Sequence, residues 1–195
     1  MQTLFANATI VDSTLPEPQF GNLLIEDGII REIGPHVSSA AECQVIDVKG
    51  RVVIPGLIDC HVHVVASMMN LAENAQLAAP LALFRTARIM AGMLQRGFTT
   101  VRDVGGASFA LAEAVAQRLA PGPRLIVCGK ALSKTGGHSD ARSRYDTYDA
   151  NRWADNIGAL GRIADGPDNR RRRFTSLTGC IGSRFANILH RSTYL

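Results

Sequence analysis

The sequence predicts an α/β fold, a parallel sheet flanked by helices and preceded by a strand-rich unit, on three observations. After Pro55-Gly56 the apolar pattern runs strand, helix, strand, helix, strand. Successive βαβ crossovers of that kind lay their strands parallel with the helices outside. Before that break, residues 1–54 alternate short apolar runs with tight-turn dipeptides. Finally, 195 residues at 46% hydrophobic and 19% charged are enough for one domain and short for two, and they exclude a disordered chain.

The first unit, residues 1–54, opens with Thr3–Val11, a short and partly alternating run. Gly21–Glu26 runs into Asp27-Gly28, a strong hairpin signal, and Ile29–Ile33 follows until Gly34-Pro35 breaks the pattern. Val45–Val48 and Arg51–Ile54 flank a turn at Lys49-Gly50. This is too little chain for a complete sandwich.

In residues 55–168, Leu57–Val65 reads as a buried-type strand. Pro80–Arg96 reads as a helix, with Leu81, Phe84, Ala87, Ala91 and Leu94 spaced along one face and Gly97 where a C-terminal cap belongs. Phe98–Val104 is the second strand, closed by Gly105-Gly106. A helix over Ala107–Leu119 carries Leu111, Val115 and Leu119 on one stripe and stops at Pro121-Gly122-Pro123. Arg124–Cys128 is the third strand. Residues 129–168 are polar, Gly-rich and without periodicity; so long a loop in a compact domain is usually functional or disordered.

The formal charge of +4 is misleading as a whole-chain property. Residues 169–195 hold six Arg and no acid; 21 basic residues less those six leave 15 against 17 acidic ones. The basic character belongs to the tail, so the body carries no nucleic-acid footprint. Cys43, Cys60, Cys128 and Cys180 form no CxxC pair and are expected as reduced thiols. No apolar run reaches the ~20 residues of a membrane span, and the start lacks an export signal, so a soluble, cytoplasmic protein without a membrane partner is expected.

The segment that carries chemistry is Pro55-Gly56-Leu57-Ile58-Asp59-Cys60-His61-Val62-His63. Side chains on a strand alternate faces, so Asp59, His61 and His63 point one way and Ile58, Cys60, Val62 and Val64 the other. Two imidazoles at that spacing can reach one metal ion, and neutral imidazole suits zinc and its neighbours. Asp59 is placed to orient an imidazole from behind by a hydrogen bond. The same spacing also fits an incidental exposed pair. The context favours the metal reading, because α/β folds place their sites at the C-terminal ends of such strands.

GRVVIPGLIDCHVH resembles the barrel entry of the amidohydrolase superfamily of metal-dependent hydrolases. Gly97-Phe98-Thr99-Thr100-Val101-Arg102-Asp103 resembles that family's second barrel strand. Gly122-Pro123-Arg124 through Thr135-Gly136-Gly137-His138-Ser139-Asp140 resembles the third strand and loop of the imidazolonepropionase-like branch, which includes Xaa-Pro dipeptidases. Ala164-Asp165-Gly166-Pro167-Asp168 resembles the start of the next helix, so the resemblance covers residues 1–168.

The resemblance implies the first part of a TIM-type (β/α) barrel preceded by part of a small β-sandwich. It implies a divalent metal, most often Zn2+, held by His61 and His63, and hydrolysis of an amide or related C–N bond in a dipeptide or other small molecule. His138 is read either as a substrate contact, to a carboxylate or carbonyl, or as an ordinary exposed loop residue. Asp103 is read as structural or loop-capping. Lys130 and Lys134 precede the place where the family's carboxylated Lys belongs, and neither matches its motif. Thr135-Gly136-Gly137 lacks the pattern of a phosphate cradle.

A TIM barrel takes ~250 residues, and the later Lys, His and Asp motifs are absent. No catalytic residue is identified, and only two metal ligands are, where a catalytic zinc normally has ~3. The expectation is a truncated barrel with an out-of-frame basic tail over 169–195. The alternatives are a half-barrel completed as a homo-oligomer and a non-catalytic fragment or interaction module.

Overall fold

The computed structural model describes residues 1–12, 16–38 and 42–168. The basic tail over 169–195, with Cys180 and His190, lies outside the described residues. Two compact units are present, one over Met1–Gly56 and one from Leu57 onward.

The first unit is a five-stranded sheet of β1 (Gln2–Ile10), β2 (Gln19–Glu26), β3 (Ile29–Gly34), β4 (Cys43–Asp47) and β5 (Val52–Val53). β1 is central, antiparallel to β2 and parallel to β4 and β5. Asp27 and Gly28 have φ of 51° and 79°, the paired positive values of the tight hairpin turn that an Asp-Gly dipeptide favours. Ala8, Ile10 and Leu23 form the buried cluster, with Phe5, Ile25, Val48 and Val53 packed against it. Gly21 lies so close to the Gly34 backbone that a Cβ would come within 2.7 Å of it, so glycine is required there.

The second unit centres on a parallel sheet in the order β6 (Leu57–Val62), β7 (Phe98–Asp103), β8 (Arg124–Val127). Three helices follow these strands: α1 (Leu71–Gln76) and α2 (Ala79–Gln95) after β6, and α3 (Phe109–Ala116) after β7. The alternation expected from the sequence is therefore present. The core joins Val62, Val64 and Val65 to Met90 of α2, Val101, Leu111 of α3, and Leu125 and Val127 of β8. Gly122 admits this packing, since a Cβ there would lie 2.9 Å from the Met90 Cβ.

Three expectations need correction. α2 buries Ala82, Thr86 and Met90, one position round from the stripe read as inward. Leu81, Phe84 and Leu94 stay 46%, 74% and 42% exposed, because a helix apolar on two flanks cannot be oriented by spacing alone. β6 is not wholly buried: Ile58 is 69% exposed and Cys60 is exposed, since β6 is an edge of the described sheet. The loop over 129–168 is not structureless either. β9 (Ala131–Ser133) and β10 (Gly161–Ile163) pair in parallel within it. No helix among the described residues is long and apolar enough to cross a membrane.

The helix α1 was not legible as a periodic run, but it has a capping signature. The Asn70 side chain accepts from the Ala72 and Glu73 amides and donates to the Glu73 carboxylate at 2.7 Å. On α1, fully buried Asn74 uses its whole amide. Its Nδ2 donates to Val65 O (2.8 Å) and Gly158 O (2.6 Å), and its Oδ1 accepts from Ser67 N (3.1 Å) and Ser67 Oγ (2.7 Å). One side chain thus ties the segment after β6 to the long loop. Asn74→Ala strands those groups and is expected to lower unfolding free energy by about 2–3 kcal/mol, read as a lower urea midpoint at unchanged slope.

Candidate metal centre

His61 is exposed and His63 half-buried, while Val62 and Val64 are buried. The two imidazole centroids lie 5.6 Å apart, nearly perpendicular at 85°. The structure therefore brings together the two residues singled out as metal ligands. His63 Nδ1 is 2.9 Å from Gly105 O. A carbonyl only accepts, so Nδ1 carries the proton and Nε2 of the neutral ring keeps its lone pair for a ligand.

Asp59 bonds the backbone of its own strand. Its Oδ1 accepts from the His61 backbone N–H at 3.0 Å. The cause is a bulge in β6: pairing with β7 passes from Asp59↔Val101 to Val62↔Asp103, skipping His61. The His61 amide has left the ladder and takes the carboxylate as its acceptor. The orienting group is the Gly105 carbonyl, which the sequence reading missed; the available signal was Gly105-Gly106 closing β7.

Gly106 is required by this approach, and Gly105 sits in a tight space. A Cβ on Gly105 would sit 3.3 Å from His63 Cε1 and 3.1 Å from Ala131 Cβ. Gly106 has φ of 120°, and a Cβ there would overlap Val65. Asp103 holds the two loops together from beneath. Fully buried, it accepts from Val64 N at 2.8 Å through Oδ2, and from Gly105 N and Ala107 N at 3.0 and 3.1 Å through Oδ1. Burial pushes its carboxyl above the usual range, against the pull of the three amides. These three bonds give it a loop-capping place.

His138 lies on the exposed rim of a cavity of about 120 Å³ that His63 also lines. The long loop forms most of the remaining wall and is tightly tied. Asp140 pairs with Arg142 through two bonds of 2.8 and 2.7 Å and accepts from Gly136 N at 2.9 Å. Thr135 bonds Asp165 through both its amide and hydroxyl, and Asn156 Nδ2 donates to Ala75 O at 2.9 Å. Lys130 Nζ donates to Asn156 O and Ala159 O at 2.8 and 2.6 Å, and burial pulls its pKa down to about 8.

The donor set fits a divalent cation in part. Two adjacent imidazoles, one with its tautomer set, are suitable ligands. Among the described residues, no group of three His, Cys, Asp or Glu side chains could hold a metal ion.

Two outcomes follow from this geometry. Asp103→Asn keeps the shape but sets an amide donor against backbone donors, and is expected to cost about 1–3 kcal/mol in urea unfolding. For Lys130, between pH 8 and its unfolded value near ~10.4 the unfolded chain holds a proton that the folded chain has released. Stability should therefore rise with pH across that window, and Lys130→Met should flatten the rise.

The amidohydrolase family model matches residues 52–172. The crystal structure of an amidohydrolase is 46% identical with a TM-score of 0.82, covering 92% of this chain and 44% of that one. A prolidase complexed with N-methylphosphonate-L-proline is 38% identical with a TM-score of 0.84, again over 92% of this chain and 44% of that one. Among curated relatives, the dihydroorotase of Pelobacter propionicus is 35% identical over 63 residues, 32% of this chain and 15% of the relative. The chain thus spans less than half the length of the proteins it matches. With a match over most of its length, and with the HxH strand, buried Asp103 and Gly-Gly turn in one parallel α/β unit, this chain belongs to the amidohydrolase family.

Proposed function

We propose that this chain supplies the opening part of a metal-dependent amidohydrolase that hydrolyses an amide or other non-ester C–N bond of a dipeptide or cyclic amide. The observation that carries this is the His63 ring, held through Nδ1 by Gly105 O with the His61 ring beside it. The parallel β6–β8 sheet is then the first part of a TIM-type barrel, with the first unit as part of the accompanying β-sandwich. The family's chemistry and the prolidase relative support this reading.

His61 and His63 would hold the cation, most often zinc in this family. Such a cation, when bound, supplies Lewis acidity toward water and toward the scissile carbonyl. Gly105 O keeps His63 in the ligating tautomer. Asp103 fixes the loop that presents that carbonyl. His138, at the rim of the cavity that His63 lines, is placed to donate to a substrate carboxylate or carbonyl.

The experiment is equilibrium dialysis of the purified chain against Zn2+, with elemental analysis. About one ion or fewer per chain is expected, weakly retained, because only two ligands are at hand among the described residues. His61→Ala and His63→Ala should each weaken retention at least tenfold; retention indifferent to both changes would remove the metal reading. The second reading, a non-catalytic fragment or interaction module, is favoured by the absence of a third ligand among the described residues. Dipeptide hydrolysis that chelator abolishes would exclude it.

A further inference from the structure

The cavity that His63 lines has walls of a definite chemistry. Leu71 and Ala75 come from α1, Trp153 and Ala154 from the long loop, and Leu160 from just before β10. No Asp or Glu lines it. Arg142 does, but its guanidinium is bound by both oxygens of Asp140, whose carboxyl is held far below the usual carboxylate range by that pairing. A cationic side chain entering here finds no counter-charge, and an anionic one finds the lining cation already paired. The volume of about 120 Å³ suits one branched aliphatic or small aromatic group. The uncharged polar groups on the same cavity are Gln76 of α1 and, from the loop after β9, His138, Ser139 and Tyr148.

We propose that this cavity is a side-chain subsite for an amino-acid residue bearing an uncharged, medium-sized apolar side chain, of leucine size, with His138 and Ser139 taking the polar atoms attached to it. Calling it a substrate subsite rests on the hydrolase reading. Its selectivity rests only on the walls.

The chain carries its own reporter, because Trp153 is its one tryptophan and lines the cavity. The experiment titrates the full chain with N-acetyl-L-leucine, N-acetylglycine, N-acetyl-L-aspartate and N-acetyl-L-lysine, following tryptophan emission. A saturable change is expected for the leucine derivative, with the other three at least about tenfold weaker from the lost apolar burial. Ala75→Leu fills the cavity and should weaken the leucine derivative about tenfold, with far-UV circular dichroism unchanged. Should that variant not fold, Leu71→Asp places an acid in the first turn of α1, where helices favour one, and should turn the preference toward the lysine derivative. Equal affinity for all four compounds, no saturable change, or an unaltered preference in the folded variants would overturn the subsite. The titrations are repeated with chelator and on His61→Ala. A preference that survives there while Zn2+ dialysis shows no retention by the native chain would leave the subsite standing and the metal reading fallen; zinc retention with no preference would do the reverse.

Discussion

One buried carboxylate organises this site. Asp103 ends β7 with no exposure to solvent, and its three acceptor bonds reach the segment after β6 and the turn after β7. Those two segments carry the His63 ring and the carbonyl that orients it. A carboxylate bonded only to backbone amides sets the separation of two loops whatever their side chains are. That is how a strand terminus, ordinarily a frayed place, becomes a rigid platform. The Gly105-Gly106 pair is the steric counterpart, because any side chain there would push against His63, Ala131 or Val65.

The long segment after β8 is held in place for a related reason. Many of its backbone groups are satisfied by side chains and few by regular structure. Asn74 reaches Gly158, Lys130 reaches Asn156 and Ala159, and Asn151 bonds both the amide and the carbonyl of Ile163. A polar, aperiodic sequence can fold in this way without a hydrophobic stripe to announce it. The resulting wall and α1 together bound a partly open cavity that His63 also lines.

The exposed apolar side chains carry their own information. Leu57 and Ile58 on β6 and Phe84 on α2 are 40%, 69% and 74% exposed among the described residues. The solved relatives, of which the chain covers 44%, have further chain with which to cover such faces. Bare apolar edges of a parallel sheet invite pairing or association, so whatever accompanies these strands in solution bears directly on whether they persist.

The sequence by itself determined the alternation of β6, α2, β7, α3 and β8, the Asp27-Gly28 turn, the spacing of His61 and His63 and the loop-capping place of Asp103. Each of these is encoded locally, by a two-residue alternation, a turn dipeptide or a motif within a few residues. Only the tertiary structure decided which face of α2 is buried, that a bulge hands Asp59 to a backbone amide, and that Gly105 O orients His63 across 42 residues of chain. It alone placed His138 and Trp153 on the same cavity as His63. The physical reason is that burial, bulges and cavity walls depend on what packs from distant parts of the chain, and spacing along one segment carries no record of its neighbours.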